Sequence, residues 1–115
     1  MNFRNVIFVL FIAVLFLNCS NNDDDANETP ATRITYEGNI KSIMNNNCNS
    51  CHGNPLANGA PMSLTTYTQV KNAVEERRLI SRINDPLNPM PFSGLMTQAN
   101  RNLVQQWVDG GFLEN

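Results

Sequence analysis

After a long polar stretch, the chain carries its first helical pattern. Ile40, Ile43 and Met44 share one face at i, i+3, i+4 spacing, which is the spacing of an amphipathic helix. Thr35 is a suitable N-cap for this segment, because its hydroxyl can accept a hydrogen bond from an unpaired backbone N–H. The pattern predicts a first helix that runs to about Asn47 and therefore ends beside a cysteine.

Two further helical patterns follow a loop rich in proline and glycine. Thr66 can cap a second helix that ends near Glu76, and a third helical segment should end before Pro86. Residues 85–94 contain repeated prolines, so they form neither a helix nor a central strand. The apolar positions that define these two helices are Tyr67, Val70, Ala73 and Val74, and then Leu79, Ile80 and Ile83.

The last helical pattern lies near the carboxyl terminus. Thr97 is its expected N-cap, and the pair Gly110-Gly111 is its expected end. Its apolar face is formed by Leu103, Val104, Trp107 and Val108. No segment shows the strict alternation of apolar and polar residues that a half-buried strand requires. The pattern as a whole predicts an all-α domain of three to five helices.

The amino-terminal segment has the pattern of an export signal. Positive charge at Arg4 precedes an unbroken apolar run over residues 6–17. A membrane-spanning helix needs about 20 apolar residues, whereas this shorter run fits the apolar region of a signal peptide. A short signal anchor that stays in the membrane is the alternative. We assign residues 1–18 to a signal peptide, 19–32 to a disordered polar tether and 33–115 to one small domain.

The charge distribution gives no indication of nucleic-acid binding. The formal net charge is −2, and the acidic excess lies in the tether, so the domain itself is nearly neutral. Nucleic-acid recognition would require a basic patch or stripe, and strong electrostatic steering is not expected here. A domain of this size has a marginal apolar core of its own. A bulky apolar cofactor would therefore add considerably to its stability.

The sequence Cys48-Asn-Ser-Cys51-His52 is the main chemical motif of the domain. Cys-x-x-Cys-His is the attachment sequence for c-type haem. Two cysteines at this spacing on a tight turn can each reach one vinyl group of the porphyrin and form a thioether. The next residue then lies beneath the iron, where imidazole is a suitable ligand. The motif predicts one covalently bound haem c, with His52 as an iron ligand.

Other interpretations of the same residues remain. The cysteines could form a disulfide or a thioredoxin-like redox pair, but that pair belongs in a βαβ setting. A structural zinc site needs four protein ligands, and no fourth ligand is evident beside these three. His52, the one histidine of the chain, could also be a packed core residue. A surface binding lipoprotein without haem would be the corresponding function.

A second axial ligand to the iron is expected from methionine, the common partner of histidine in electron carriers. Met90 is the preferred candidate, because the prolines on either side of it stiffen an extended loop. Met44 lies on the apolar face of the first helix and is expected in the core. Met62 follows His52 too closely to cross to the other face, and Met96 precedes the N-cap Thr97, where apolar residues often staple a helix.

Two resemblances to known families extend this picture. Cys19, directly after the apolar run and before an acidic stretch, resembles the lipidated cysteine of bacterial lipoproteins. Residues 35–112 resemble the monohaem cytochrome c domains of the class I fold, through Cys-x-x-Cys-His-Gly, the Pro-Met-Pro loop and a last helix containing Trp107. That fold would cross its first and last helices beside the haem. It would also use a proline carbonyl, best matched by Pro61, to accept a hydrogen bond from the proximal imidazole.

The resemblances imply single-electron transfer by a membrane-tethered carrier with iron held by His52 and Met90. The alternative is a haem-based ligand sensor or weak peroxidase with an open or labile sixth position. Lipidation of Cys19 implies export to the cell envelope, with the outer membrane or the cell surface as candidate locations and envelope redox proteins as partners. Arg77, Arg78 and Arg82 are expected to be solvated surface charges rather than partners of the haem propionates.

Overall fold

The computed structural model describes residues 33–115, so the predicted signal peptide, the lipidation site Cys19 and the tether lie outside the described residues. A π-helical segment (Tyr36–Ile40) leads into five α-helices: α1 (Lys41–Asn47), α2 (Asn49–His52), α3 (Tyr67–Arg77), α4 (Leu79–Asn84) and α5 (Gln98–Asp109). No strand occurs within residues 33–115, which confirms the all-α prediction for this part of the chain. None of these helices is long and apolar enough to cross a membrane.

The first helix begins with a different geometry from the one predicted. Thr35 is the N-cap, as expected, and its Oγ1 accepts a hydrogen bond from the Gly38 N–H at 3.1 Å. The Ile40 N–H, however, reaches back to the Thr35 carbonyl at 3.2 Å, which is the wider turn of a π-helix. A Cβ at Gly38 would lie 2.9 Å from Thr35 Oγ1, so glycine leaves room for the cap. Regular α-helix follows from Lys41.

The second predicted helix starts where the sequence indicates. Thr66 accepts a hydrogen bond from the Gln69 N–H at 3.3 Å, and the Gln69 side chain accepts one from the Thr66 N–H at 3.2 Å. These two bonds form a reciprocal capping box. Helix α3 ends at Arg77, just beyond the predicted end. Arg78 then adopts a left-handed conformation with φ of 60°, which turns the chain directly into α4.

One hydrophobic core joins the two ends of the domain. The π-helical segment packs against α5, and α4 packs between α3 and α5. The core contains the apolar residues that the helical spacing predicted, with Trp107, Ile40, Met44 and Val104 fully buried. Leu103 and Val108 lie partly buried at its edge. The first and last helical elements therefore share a core, as the sequence predicted.

The carboxyl-terminal tail closes this core on one side. The Leu113 carbonyl accepts hydrogen bonds from the Trp107 Nε1–H and the Tyr36 N–H, both at 2.8 Å. The Tyr67 hydroxyl donates to the Phe112 carbonyl at 2.9 Å. The four aromatic rings of these residues lie with centroids 5.0–6.1 Å apart in tilted or edge-to-face pairs. The tail thus fixes the first segment, α3 and α5 relative to one another.

Removing the α3 cap gives a direct test of this local structure. Thr66→Ala should lower the free energy of unfolding of the purified chain by about 1 kcal/mol, because it leaves an N-terminal N–H of α3 without its acceptor. Urea unfolding measures the change. Thr68→Ala, at an exposed position in the first turn of the same helix, is the matched control and should change stability little. Equal losses in the two variants would contradict the capping box.

Candidate haem-binding site

The residues of the Cys-x-x-Cys-His motif open onto a cavity of about 530 Å³. This volume lies within the range of small-molecule and cofactor sites, about 300–1,000 Å³. We call it the His52 cavity. Cys48, Cys51, His52, Met90 and Pro61, which the sequence singled out, all line it. The chain thus brings together in one cavity residues that are widely separated in sequence.

Local helix geometry places the two thiols and the imidazole. Helix α1 ends at Cys48, whose N–H donates to the Met44 carbonyl at 2.8 Å. The His52 N–H then donates to the Cys48 carbonyl at 2.8 Å, which starts the short helix α2 immediately. The prediction that the first helix delivers Cys48 at its end is confirmed. Cys48, Cys51 and His52 are consequently held on one helical turn.

Gly53 allows the chain to leave this turn at once. A Cβ at position 53 would lie 2.6 Å from the Asn49 carbonyl oxygen, closer than real Cβ contacts come. The obstacle is backbone and cannot rotate away. The chain then returns beneath the helix, where the Leu64 N–H donates to the His52 carbonyl at 2.8 Å. The backbone contact alone therefore accounts for glycine at this position, whatever the chemistry of the motif.

The ring of His52 is oriented by a backbone carbonyl. Its Nδ1 lies 2.8 Å from the Met62 carbonyl oxygen. A carbonyl can only accept, so Nδ1 must carry the proton, and the lone pair is left on Nε2. This is the tautomer and the kind of outer hydrogen bond that metal-ligating histidines use. The resemblance had assigned the acceptor to Pro61. That assignment is wrong by one residue: Pro61 lines the cavity, but the carbonyl that binds the ring belongs to Met62.

The two cysteines differ in their surroundings. Burial raises the pKa of the Cys48 thiol to about 11, and Cys48 packs against the hydrophobic core. Cys51 Sγ instead accepts a hydrogen bond from the Asn58 side-chain amide at 3.3 Å. Neither thiol is in a disulfide within residues 33–115. A buried, protonated thiol is a poor nucleophile for thiol–disulfide exchange. Residues 33–115 also contain no strand, whereas a thioredoxin-like pair belongs in a βαβ setting.

Cys48, Cys51 and His52 together supply three candidate metal ligands. A structural zinc site needs four protein ligands in tetrahedral arrangement. Within the described part of the chain, no three histidine, cysteine, aspartate or glutamate side chains group closely enough to hold a metal ion.

The methionines fall into two groups. Met44 and Met96 lie in the hydrophobic core, with 0% and 5% of their surface exposed. Met62 and Met90 line the His52 cavity. Since the Met62 carbonyl holds the His52 ring, Met62 is fixed beside that imidazole. Met90 enters the cavity from the loop after α4, and its N–H donates to the Arg82 carbonyl at 3.2 Å. Met90 is thus the methionine best placed to approach from elsewhere in the fold.

The remaining lining combines apolar residues, neutral polar residues and two cations. Leu64, Leu79 and Ile83 are buried residues that also line the cavity. Arg77 and Arg82 line it as well, and among the described residues no acidic side chain does. Arg78 lies outside the lining, so the sequence-based expectation of a solvated charge holds for its exposed side chain. Apolar residues and two cations, with no acidic side chain, are compatible with an apolar ligand that also carries negative charge.

Two groups that contact the motif residues, the Met62 carbonyl and the Asn58 side chain, could not be identified from the sequence. The Met62 carbonyl is a backbone group, and any residue there could supply it. Asn58 was found only through its contact with Cys51, although the Asn58-Gly59 pair, with φ of 51° and 73°, is a recognisable left-handed turn. Comparison of the chain with protein-family models, curated proteins and solved structures gave no match.

The burial of Cys48 predicts how the thiols of the haem-free chain react. Because its pKa is raised to about 11, Cys48 should be alkylated by iodoacetamide at pH 8 far more slowly than the same residue in urea. The rate should rise as the pH approaches 11. The raised pKa also means that the folded state keeps a proton which the unfolded state has lost, so stability should fall above about pH 8.5.

Peptide mapping by mass spectrometry measures the rate at each cysteine. Cys51, alkylated in the same sample, is the internal reference. Equal rates at Cys48 with and without urea would contradict its burial.

Proposed function

We propose that the domain is a monohaem c-type cytochrome that carries single electrons. One haem is bonded to Cys48 and Cys51, and its iron is ligated by His52 and Met90. The observation that carries this proposal is that both thiols, the oriented imidazole and the thioether line a single apolar cavity. Haem supplies an iron that changes oxidation state by one electron.

The residues present fit such a group on three grounds. The His52 ring keeps Nε2 as its basic nitrogen, since Nδ1 is bonded to the Met62 carbonyl at 2.8 Å. The thiols belong to one helical turn, so this fold could hold both of them bonded to one porphyrin. Arg77 and Arg82 provide positive charge in the lining, opposite in sign to haem propionates. Each ground concerns a different part of the ligand.

The protein's part in electron transfer is to hold and insulate the group. Leu64, Leu79 and Ile83 give the cavity buried apolar walls, and a low-dielectric surrounding would favour the less charged redox state. Ligation by both His52 and Met90 would fill the axial positions, which supports electron transfer over oxygen or peroxide chemistry. The two thioethers keep the group in place throughout.

The proposal includes export and lipid attachment through Cys19. A tether of polar residues between Cys19 and the domain would let the carrier move on the order of 20 Å from the membrane. Its partners would then be redox proteins of the cell envelope. The alternative function, a ligand sensor or weak peroxidase, would apply if the Met90 position were open or exchanged readily.

Replacing Met90 separates these two functions. Met90→Ala should keep the covalent haem but lower the reduction potential, because methionine ligation raises the potential of haem iron. The variant should also bind carbon monoxide rapidly when reduced, whereas the parent protein should not. Met62→Leu is the matched control, since Met62 lines the same cavity but should not ligate.

Two results would count against Met90 ligation. Rapid, stoichiometric carbon monoxide binding by the parent protein would favour the open-site alternative. A potential unchanged in Met90→Ala and lowered in Met62→Leu would transfer the ligand role to Met62. A Met96→Leu variant, which alters a core residue, should leave the potential unchanged in either case.

A further inference from the structure

The loop that carries Met90 is held only in part by the packing of its large apolar side chains. Residues 85–97 connect α4 to α5, and we call them the Met90 loop. Its large apolar side chains do not anchor it near Met90, because Leu87 is 87% exposed and Phe92 is 74% exposed. Met96, at the far end, is buried in the core. Packing therefore fixes the far end of the loop, whereas Pro89, Met90 and Pro91 are only half-buried.

Hydrogen bonds from the backbone of the Met90 loop to the end of α4 hold the part of the loop near Met90. Between Asp85 and Pro91, the residues other than proline are Leu87, Asn88 and Met90. The Leu87 and Asn88 N–H groups donate to Asp85 Oδ1 at 2.9 and 3.2 Å. The Met90 N–H donates to the Arg82 carbonyl at 3.2 Å. Each of these three N–H groups thus has an acceptor at the end of α4. One oxygen of the Asp85 carboxylate accepts from two of the three groups.

The end of α4 is itself firmly placed. Ile83 is 2% exposed and anchors the last turn in the core. The Arg101 guanidinium donates to Asn84 Oδ1 at 3.0 Å, which ties α4 to α5. The same Asn84 donates to the Ile80 carbonyl at 2.9 Å. Asp85, the next residue, therefore projects from a fixed point.

The charge of Asp85 strengthens its bonds to the loop. The N–H of Leu87, followed by that of Asn88 and the positive charge of Arg82, holds the pKa of Asp85 below its usual range. The carboxylate is consequently ionised at neutral pH. Hydrogen bonds to an ionised acceptor are roughly twice as strong as neutral ones.

We propose that Asp85 is a positioning residue for Met90: its carboxylate gathers the Leu87 and Asn88 N–H groups and so holds the Met90 thioether at the His52 cavity. This rests on the proposed function, in which Met90 ligates haem iron. Asp85 does not touch the iron or the haem; it acts through the backbone of the Met90 loop. Without it, the flanking prolines would stiffen the loop but would not fix where it lies.

Two substitutions at position 85 test the proposal on the full-length, haem-loaded protein. Asp85→Ala removes both hydrogen bonds, whereas Asp85→Asn keeps an amide oxygen in the same place. Asp109→Ala, on the distant end of α5, removes the same charge outside the loop and is the matched control.

The first measurement is amide hydrogen exchange at Leu87, Asn88 and Met90. Loss of one hydrogen bond of ordinary strength predicts about tenfold faster exchange in Asp85→Ala. Asp85→Asn should restore most of the protection, and Asp109→Ala should match the parent protein. Unchanged exchange at all three amides in Asp85→Ala would overturn the proposal. Should Asp85→Ala fail to fold, Asp85→Asn and the parent protein still give the comparison: the loss of charge alone should speed exchange by a smaller factor.

The second measurement is carbon monoxide binding to the reduced protein. If Asp85 positions Met90, Asp85→Ala should bind carbon monoxide about tenfold faster than the parent, and Asp85→Asn should return towards the parent rate. A merely structural role would alter stability without this difference between Ala and Asn. Parent protein that carries no covalent haem would disprove the proposed function instead, and hydrogen exchange would still decide the role of Asp85 in the loop.

Discussion

The arrangement of the site depends on one continuous run of backbone hydrogen bonds from α1 through Cys48 into α2. The Cys48 N–H donates to the Met44 carbonyl, and the His52 N–H donates to the Cys48 carbonyl, each at 2.8 Å. Met44 is buried in the core. The motif is therefore attached to the core by the helix that precedes it. Gly53 then permits a sharp exit that a larger residue would obstruct.

Two separate regions support this helix. On one side, the carboxyl-terminal tail and the aromatic residues around Trp107 hold the first segment against α5. On the other side, α4 provides buried apolar residues to the cavity wall and acceptors for the Met90 loop. The first region contains no predicted ligand, so it can form a core whether or not a cofactor is bound. The second region is where a bound group would add most stability, because a domain this small buries limited apolar surface.

Helix positions were the most predictable part of the fold. The N-caps Thr35, Thr66 and Thr97 each make the expected side-chain hydrogen bond to the third residue that follows. Capping and apolar spacing are local, so sequence alone contains the needed information. The π-helical start at Tyr36 was missed, because the same spacing of apolar residues serves either helix type over one turn.

The residues of the site could be predicted from the sequence, but the hydrogen bonds that orient them could not. Cys48, Cys51, His52 and Met90 were selected by motif and chemistry, and they line one cavity. The acceptor for His52 was assigned one residue too early, since a backbone carbonyl carries no sequence signal of its own. Arg77 and Arg82 were expected in solvent, and Arg77 is exposed while Arg82 is half-buried. Both also line the cavity, which local sequence does not show. The hydrogen bonds from the Met90 loop to Asp85 likewise depend on backbone geometry that no local sequence pattern specifies.

In the proposed function, Cys48 and Cys51 hold one haem through covalent bonds. The decisive measurement is mass spectrometry of the mature polypeptide isolated from native cells, with mapping of the peptide that spans residues 48–52. This peptide should carry the mass of one haem, which survives acid and organic solvent because thioethers are not hydrolysed. An unmodified peptide, with both thiols free, would contradict the proposed covalent haem.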